Sequence, residues 1–66
     1  MRITWNGAEC TVVDGVTVKR LLEERGLDPR AVVVEHNRTI VPSEAYDRVA
    51  LQEGEVLEVV HFVGGG

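Results

Sequence analysis

The chain has 66 residues, which is room for one domain with one hydrophobic core. Seven lysines and arginines against eleven aspartates and glutamates give a net charge of −4, a balance that disfavours nucleic acid and anionic membranes as partners. Cys10 is the only cysteine, which excludes an intrachain disulfide and a zinc site built from several thiolates. No apolar run approaches the roughly 20 residues of a membrane span, and the first residues lack a signal-peptide pattern. We therefore expect a cytoplasmic protein.

The first part of the chain predicts a β-hairpin. Residues 2–6 alternate in polarity, with Ile3 and Trp5 on one face. Asn6-Gly7 favours a tight turn because both residues tolerate positive φ. Residues 9–13 are rich in β-branched side chains and predict the returning strand.

A short amphipathic helix is predicted next. Its apolar positions are Val18, Leu21 and Leu22, at the spacing of one helical face. Thr17 is the expected N-cap, because its hydroxyl can accept a hydrogen bond from a free backbone N–H. Gly26 and Pro29 mark the end of the helix, after two to three turns.

The second half of the chain predicts three more strands and one isolated helical turn. The strands are residues 31–36, 39–41 and 56–63, and the helical turn is residues 43–46 with Ser43 as its cap. The order is therefore β-β-α-β-β-β. One helix must cover one face of the sheet, which defines an α+β two-layer fold.

This order is typical of the β-grasp, or ubiquitin-like, fold. It predicts a mixed sheet of about four to five strands with the main helix packed on one face. The first and last strands are expected side by side in the middle of the sheet. We expect residues 1–63 to form the domain and residues 64–66 to form a flexible glycine tail.

The last predicted strand divides into two faces. Leu57, Val59, His61 and Val63 share the face expected under the helix. Val56, Glu58, Val60 and Phe62 share the other face, because Glu58 does not belong in a small core. An apolar patch beside a flexible tail predicts a surface that docks a partner protein.

The residues Gly64-Gly65-Gly66 suit a segment that must enter another protein's active site. Glycine adopts backbone angles closed to other residues, so a glycine tail can thread a narrow channel. A terminal carboxylate becomes reactive when ATP converts it to an acyl-adenylate, and a sulfur nucleophile can then displace AMP. The alternative is a frayed, truncated or engineered end.

The whole chain resembles the ThiS family of sulfur carrier proteins, which serve in making the thiazole ring of thiamin. The matching segments are Asn6-Gly7, residues 14–18 before Leu21-Leu22, the stretch VEHNRTIVP at 34–42, Gly54-Glu55, and Gly65-Gly66. Two positions depart from the family pattern, which often has arginine and tryptophan where this chain has Ser43 and Tyr46.

The resemblance implies a carrier that is a co-substrate of partner enzymes, with no catalytic residue, bound cofactor or metal of its own. A ThiF-like or MoeB-like adenylyltransferase would use ATP to activate the carboxylate of Gly66, with Gly64 and Gly65 threading into its active site. A cysteine desulfurase or another donor would supply sulfur. Thiazole synthase (ThiG-like) would take sulfur from the resulting thiocarboxylate.

Other functions stay open at the level of sequence. Related carriers serve molybdopterin, cysteine or tRNA thiolation pathways, and a ubiquitin-like binding module or protein modifier would share the same pattern. Cys10 is interpreted as a buried or half-buried strand thiol, and Trp5 as a residue that packs on the sheet face or in the core, close to the last strand. His36 and His61 are too few for a metal site or a catalytic dyad.

Overall fold

The computed structural model describes residues 1–62, and it contains five strands and one α-helix in that range. The strands are β1 (Arg2–Trp5), β2 (Ala8–Thr11), β3 (Val32–His36), β4 (Thr39–Val41) and β5 (Val56–His61), and the helix is α1 (Val18–Glu24). Short 3-10 turns at Pro29–Ala31 and Ser43–Ala45 precede β3 and follow β4. The predicted glycine tail, 64–66, lies outside the described residues.

All five strands form one mixed sheet in the order β2-β1-β5-β3-β4. β1 and β5 run parallel in the middle, and the other neighbouring pairs are antiparallel. The β1–β2 turn uses Asn6 at φ +49° and Gly7 at φ +84°, the two positive φ angles that a tight hairpin turn requires. This sheet order, with one helix on one face, confirms the predicted α+β β-grasp fold.

The helix is as short as its signals predicted. The Thr17 side chain accepts a hydrogen bond from the Arg20 N–H at 3.1 Å, which caps the N-terminus. Gly26 has a φ of +72° just past the last turn, and the Leu27 N–H donates to the Leu22 carbonyl at 2.9 Å. These are the features of a helix stopped by a left-handed glycine.

The hydrophobic core lies between α1 and the sheet. Twelve apolar or aromatic side chains are buried there: Ile3, Val16, Val18, Leu21, Leu22, Val32, Val34, Val41, Tyr46, Leu51, Leu57 and Val59. Burial raises the pKa of the Tyr46 phenol above its ordinary value, and its O–H donates to the Val32 carbonyl at 3.4 Å. Within residues 1–62 no charged side chain is buried in this core.

Three details differ from the prediction. Ser43 is not a cap: Pro42 holds an extended backbone before the turn, and Ser43 is the first residue of the turn, with no side-chain cap. β2 is displaced toward the turn and ends at Thr11, because its partner β1 begins only at Arg2. β5 ends at His61, although the Phe62 N–H still donates to the Ala31 carbonyl at 3.0 Å.

None of the helices in residues 1–62 has the length and hydropathy needed to cross a membrane.

Candidate functional site

The central strand β5 presents two chemically different faces. Leu57 and Val59 are 1% and 7% exposed and pack beneath α1. Val56, Val60 and Phe62 are 40%, 63% and 45% exposed, and Glu58 is also exposed. The division predicted from the alternation is therefore confirmed for these residues. It is wrong for His61, which was expected beneath the helix but is exposed, because it is the last residue of β5. Val63 lies outside the described residues. We call the uncovered side of the sheet the outer face; a docking role for it stays a prediction.

Two further apolar residues, which were not predicted as part of this surface, enlarge the outer face. Val33 on β3 lies directly opposite Val60 and is 40% exposed. Ile40 on β4 lies opposite Glu35 and is 63% exposed. The alternation of β3 could have indicated Val33, since Val32 and Val34 are both buried. Contiguous exposed apolar side chains on one face are typical of a protein-binding surface.

The Asn6 side chain holds β5 from the β1 side. Its Oδ1 accepts a hydrogen bond from the Val59 N–H at 2.7 Å, and its Nδ2 donates to the Val59 carbonyl at 3.1 Å. Its backbone N–H donates to the Leu57 carbonyl at 2.9 Å. Asn6 thus continues the pairing of β5 after β1 has turned away. Val59, which it holds, lies three residues before Phe62, the last described residue.

Asn37 makes the equivalent contact from the β3 side. Its Oδ1 accepts from the Val56 N–H at 2.9 Å, and its own N–H donates to the Val56 carbonyl at 2.8 Å. Asparagine suits both places because it tolerates the positive φ of a turn. The two side chains fix where β5 enters the sheet and where it leaves β1.

Glu55, immediately before β5, is the centre of a polar cluster. Its carboxylate accepts from the Gln52 N–H at 2.7 Å and lies 2.9 Å from His36 Nε2, without the linear geometry of a strong hydrogen bond. Burial acts to raise the pKa of Glu55, but the contact with His36 and the Gln52 N–H outweigh it and hold the pKa below its ordinary value. The cluster anchors the start of β5 and leaves the outer face free.

The remaining residues with reactive or charged side chains contact one another within the fold. Arg25 Nη2 donates to Cys10 Sγ at 3.2 Å, and the guanidinium carbon lies 4.8 Å from the centre of the Trp5 ring. Cys10 is half-buried, and Trp5 lies next to Leu57 in the sheet, as predicted. Among residues 1–62 there is no group of three or more histidine, cysteine, aspartate or glutamate side chains able to hold a metal ion.

Two open depressions lie away from the outer face. One, of about 250 Å³, includes Lys19 and Tyr46 in its lining. The other, of about 400 Å³, includes Val13 and Arg20. Neither is lined by a residue of β5. The predicted site residues Gly64, Gly65 and Gly66 lie outside the described residues.

Known proteins resemble this chain over most or all of its length. A model of the ThiS family matches residues 3–66. The chain is 46% identical over all its 66 residues to a thiazole synthase of Paramagnetospirillum magneticum, and it spans about a fifth (20%) of the length of that protein. It is 43% identical over 53 residues to the sulfur carrier protein ThiS of Bacillus subtilis, covering 80% of each.

A solved structure agrees with the sequence comparisons. The crystal structure of the thiamine biosynthesis protein ThiS from Geobacter metallireducens is 32% identical, covers 100% of both chains and superimposes with a TM-score of 0.86. The resemblance seen in the sequence is therefore confirmed: the chain belongs to the ThiS family.

Proposed function

We propose that this chain is a sulfur carrier of thiamin biosynthesis. The observation that carries the proposal is the extent of the family match, which runs from residue 3 to residue 66 and so includes Gly65-Gly66. Relatives that match over most of their length are named sulfur carrier proteins. The chain would be a co-substrate of partner enzymes and would be consumed and regenerated, with no catalytic site of its own.

The proposed chemistry takes place at the carboxylate of Gly66. A carboxylate oxygen attacks the α-phosphorus of ATP, pyrophosphate leaves, and an acyl-adenylate forms. A sulfur nucleophile then attacks the acyl carbon and AMP leaves. When sulfide is the net donor, the product is a thiocarboxylate, a soft nucleophile that can pass sulfur onward. ATP would be bound by the adenylating partner.

Three partners follow from this chemistry. A ThiF-like or MoeB-like adenylyltransferase would activate Gly66, and a cysteine desulfurase or another donor would supply sulfur, in the cytoplasm. Thiazole synthase would receive the sulfur. The last partner is favoured by a relative named thiazole synthase, which contains a segment similar to this whole chain.

The outer face is the proposed docking surface for the adenylating partner, through Val56, Glu58, Val60 and Phe62. A flexible tail loses conformational entropy when it enters an active site, so a separate surface must supply affinity. Phe62 is the last described residue and lies on this face. Docking there would deliver Gly64, Gly65 and Gly66 directly to the partner's active site.

Intact-protein mass spectrometry tests the proposal. The chain is incubated with ATP, a sulfur source and a ThiF-like adenylating enzyme. The expected result is a mass gain equal to exchanging one oxygen for sulfur, mapped to Gly66. A variant lacking Gly65-Gly66 is the control, and it should fold normally and show no gain. Activation of that truncated variant would contradict the proposal.

The same experiment separates the alternatives. A binding module with an inert tail would bind the enzyme equally well with and without Gly65-Gly66 and would gain no mass. A protein modifier would give higher-mass conjugates with lysines of other proteins. If sulfur passed to a molybdopterin, cysteine or tRNA acceptor and none passed to thiazole synthase, the chain would still be a sulfur carrier. Its pathway would then be another one than thiamin biosynthesis.

A further inference from the structure

Two glutamates face each other in the middle of the outer face. The register of the antiparallel β3–β5 pair places Glu35 directly opposite Glu58. Directly opposed residues on one face of such a pair have their Cβ atoms about 4.5–5.5 Å apart. Both side chains point away from the core, because Val34 and Leu57, their neighbours along the two strands, are buried.

Within residues 1–62 neither glutamate belongs to an ion pair. Arg2, a cation of the same face, lies 3.7 Å from Glu9 near the β2 edge. The surroundings of the two carboxylates are apolar instead. Ile40 lies beside Glu35 on β4, and Val56 and Val60 flank Glu58 along β5. The outer face thus has an acidic centre within an exposed apolar frame.

This arrangement does not stabilise the free domain. Like charges directly opposite each other across two strands are destabilising, and exposed valine and isoleucine side chains gain little from folding. Two neutral polar residues at the same positions would avoid the repulsion. A cation placed between the carboxylates would reverse the sign of the interaction, and the apolar frame would exclude water from it.

We propose that Glu35 and Glu58 together bind one arginine or lysine of the adenylating partner, which presents that cation among apolar side chains. The inference rests on the proposed function, because it names the chemistry of the partner at the same docking surface. Adjacent carboxylates suit a guanidinium best, since its planar array of donors can serve both. A second copy of this chain fits poorly, because face-to-face pairing would bring four carboxylates together.

The test is the double variant Glu35→Gln with Glu58→Gln, assayed for ATP–pyrophosphate exchange by a ThiF-like adenylating enzyme. We expect KM for the carrier to rise about fivefold to tenfold, with kcat little changed because the tail is intact. We also expect Tm to rise by about 2–5 °C, because the cross-strand repulsion is removed. A residue that mattered only for folding would not change stability and affinity in opposite directions.

The matched control removes the same charge elsewhere. Glu23→Gln with Glu44→Gln neutralises two exposed glutamates in α1 and in the second 3-10 turn. The KM of this control should stay within about twofold of the KM of the unmodified chain. Added salt should weaken the binding of the adenylating enzyme to the control and to the unmodified chain to the same extent. The Glu35/Glu58 variant should respond much less to salt, because its specific charge contact is already gone.

Calorimetry without ATP measures the affinity of the same enzyme for each variant, independently of the adenylation reaction. Weaker binding of the Glu35/Glu58 variant than of the control supports the inference, even where no sulfur reaches Gly66. Equal binding and equal KM for the two double variants would overturn it. The inference would also be overturned if the free chain formed a dimer and Glu58→Lys abolished that dimer, because the outer face would then bind a second copy.

Discussion

The covered and outer faces of the sheet are made by the same five strands, yet they differ in almost every chemical respect. The centre of the covered face is made of apolar side chains that are nearly inaccessible, such as Leu57 and Val59 at 1% and 7% exposure, and polar residues such as Cys10 and His36 lie only toward its margins, half-buried. The outer face alternates with it residue by residue and keeps Val60 at 63% exposure beside a pair of opposed glutamates. One strand, β5, therefore contributes to folding through one face and leaves the other exposed, which is the face we propose for partner docking.

In this small domain, the side chains that stabilise the fold are therefore separate from those that we propose bind a partner. Buried apolar area supplies most of the folding free energy, and here it lies on one side of the backbone. Side chains on the outer face contribute little to folding, so the exposed valines, isoleucine and glutamates there need another explanation. Three sets of substitutions, on β5, at Asn6 and at Glu55, test how complete the separation is.

The largest effect is expected from a matched pair on β5. Leu57→Ala removes a fully buried side chain and should lower the free energy of unfolding by about 2–5 kcal/mol. Val60→Ala on the outer face should lower it by less than about 1 kcal/mol, because that side chain is mostly in water already. Urea unfolding followed by Trp5 fluorescence measures both. Comparable losses for the two variants would break the comparison between the faces.

An intermediate effect is expected at Asn6, which touches neither face. Asn6→Gly keeps the positive φ of the turn but removes both side-chain hydrogen bonds to Val59, and should cost about 1–2 kcal/mol. Asn6→Asp keeps the acceptor for the Val59 N–H and should lose less. Hydrogen exchange at the Val59 amide should accelerate most in the glycine variant. Unchanged exchange would show that β3 alone holds the end of β5.

The smallest effect is a pH dependence at the start of β5. The folded-state pKa of Glu55 lies below its ordinary value of 4.5. The ionised carboxylate therefore contributes stability above that value, and the contribution is lost as pH falls through the folded-state pKa.

Glu55→Gln should accordingly be less stable than the unmodified chain near pH 7, by less than about 1 kcal/mol. The stabilities of the two chains should converge as the pH falls through the folded-state pKa of Glu55. Urea midpoints at several pH values measure this. Glu23→Gln, on the exposed side of α1, is the control and should show no such convergence. A difference that grows toward acid would contradict the assigned direction of the Glu55 shift.

Local signals predicted most of the elements because each element rests on neighbouring residues. Asn6-Gly7 predicted the hairpin, and Thr17 with Gly26 predicted both ends of α1. Ser43 was misread because a proline before it presets an extended backbone, which moved the start of the turn to Ser43 itself. The strand limits were also less accurate, since a strand ends where its partner ends, and the partner is distant in sequence.

The sequence by itself determined the fold class, the two faces of β5 and the family. Alternation along one strand is a local property, and the ThiS-like segments can be read one by one. Only the tertiary structure decided which residues share the outer face: Val33 and Ile40 joined it, and Glu35 came to lie opposite Glu58. The physical reason is register, because pairing between β3 and β5 depends on hydrogen bonds between segments more than twenty residues apart, and no local pattern specifies it.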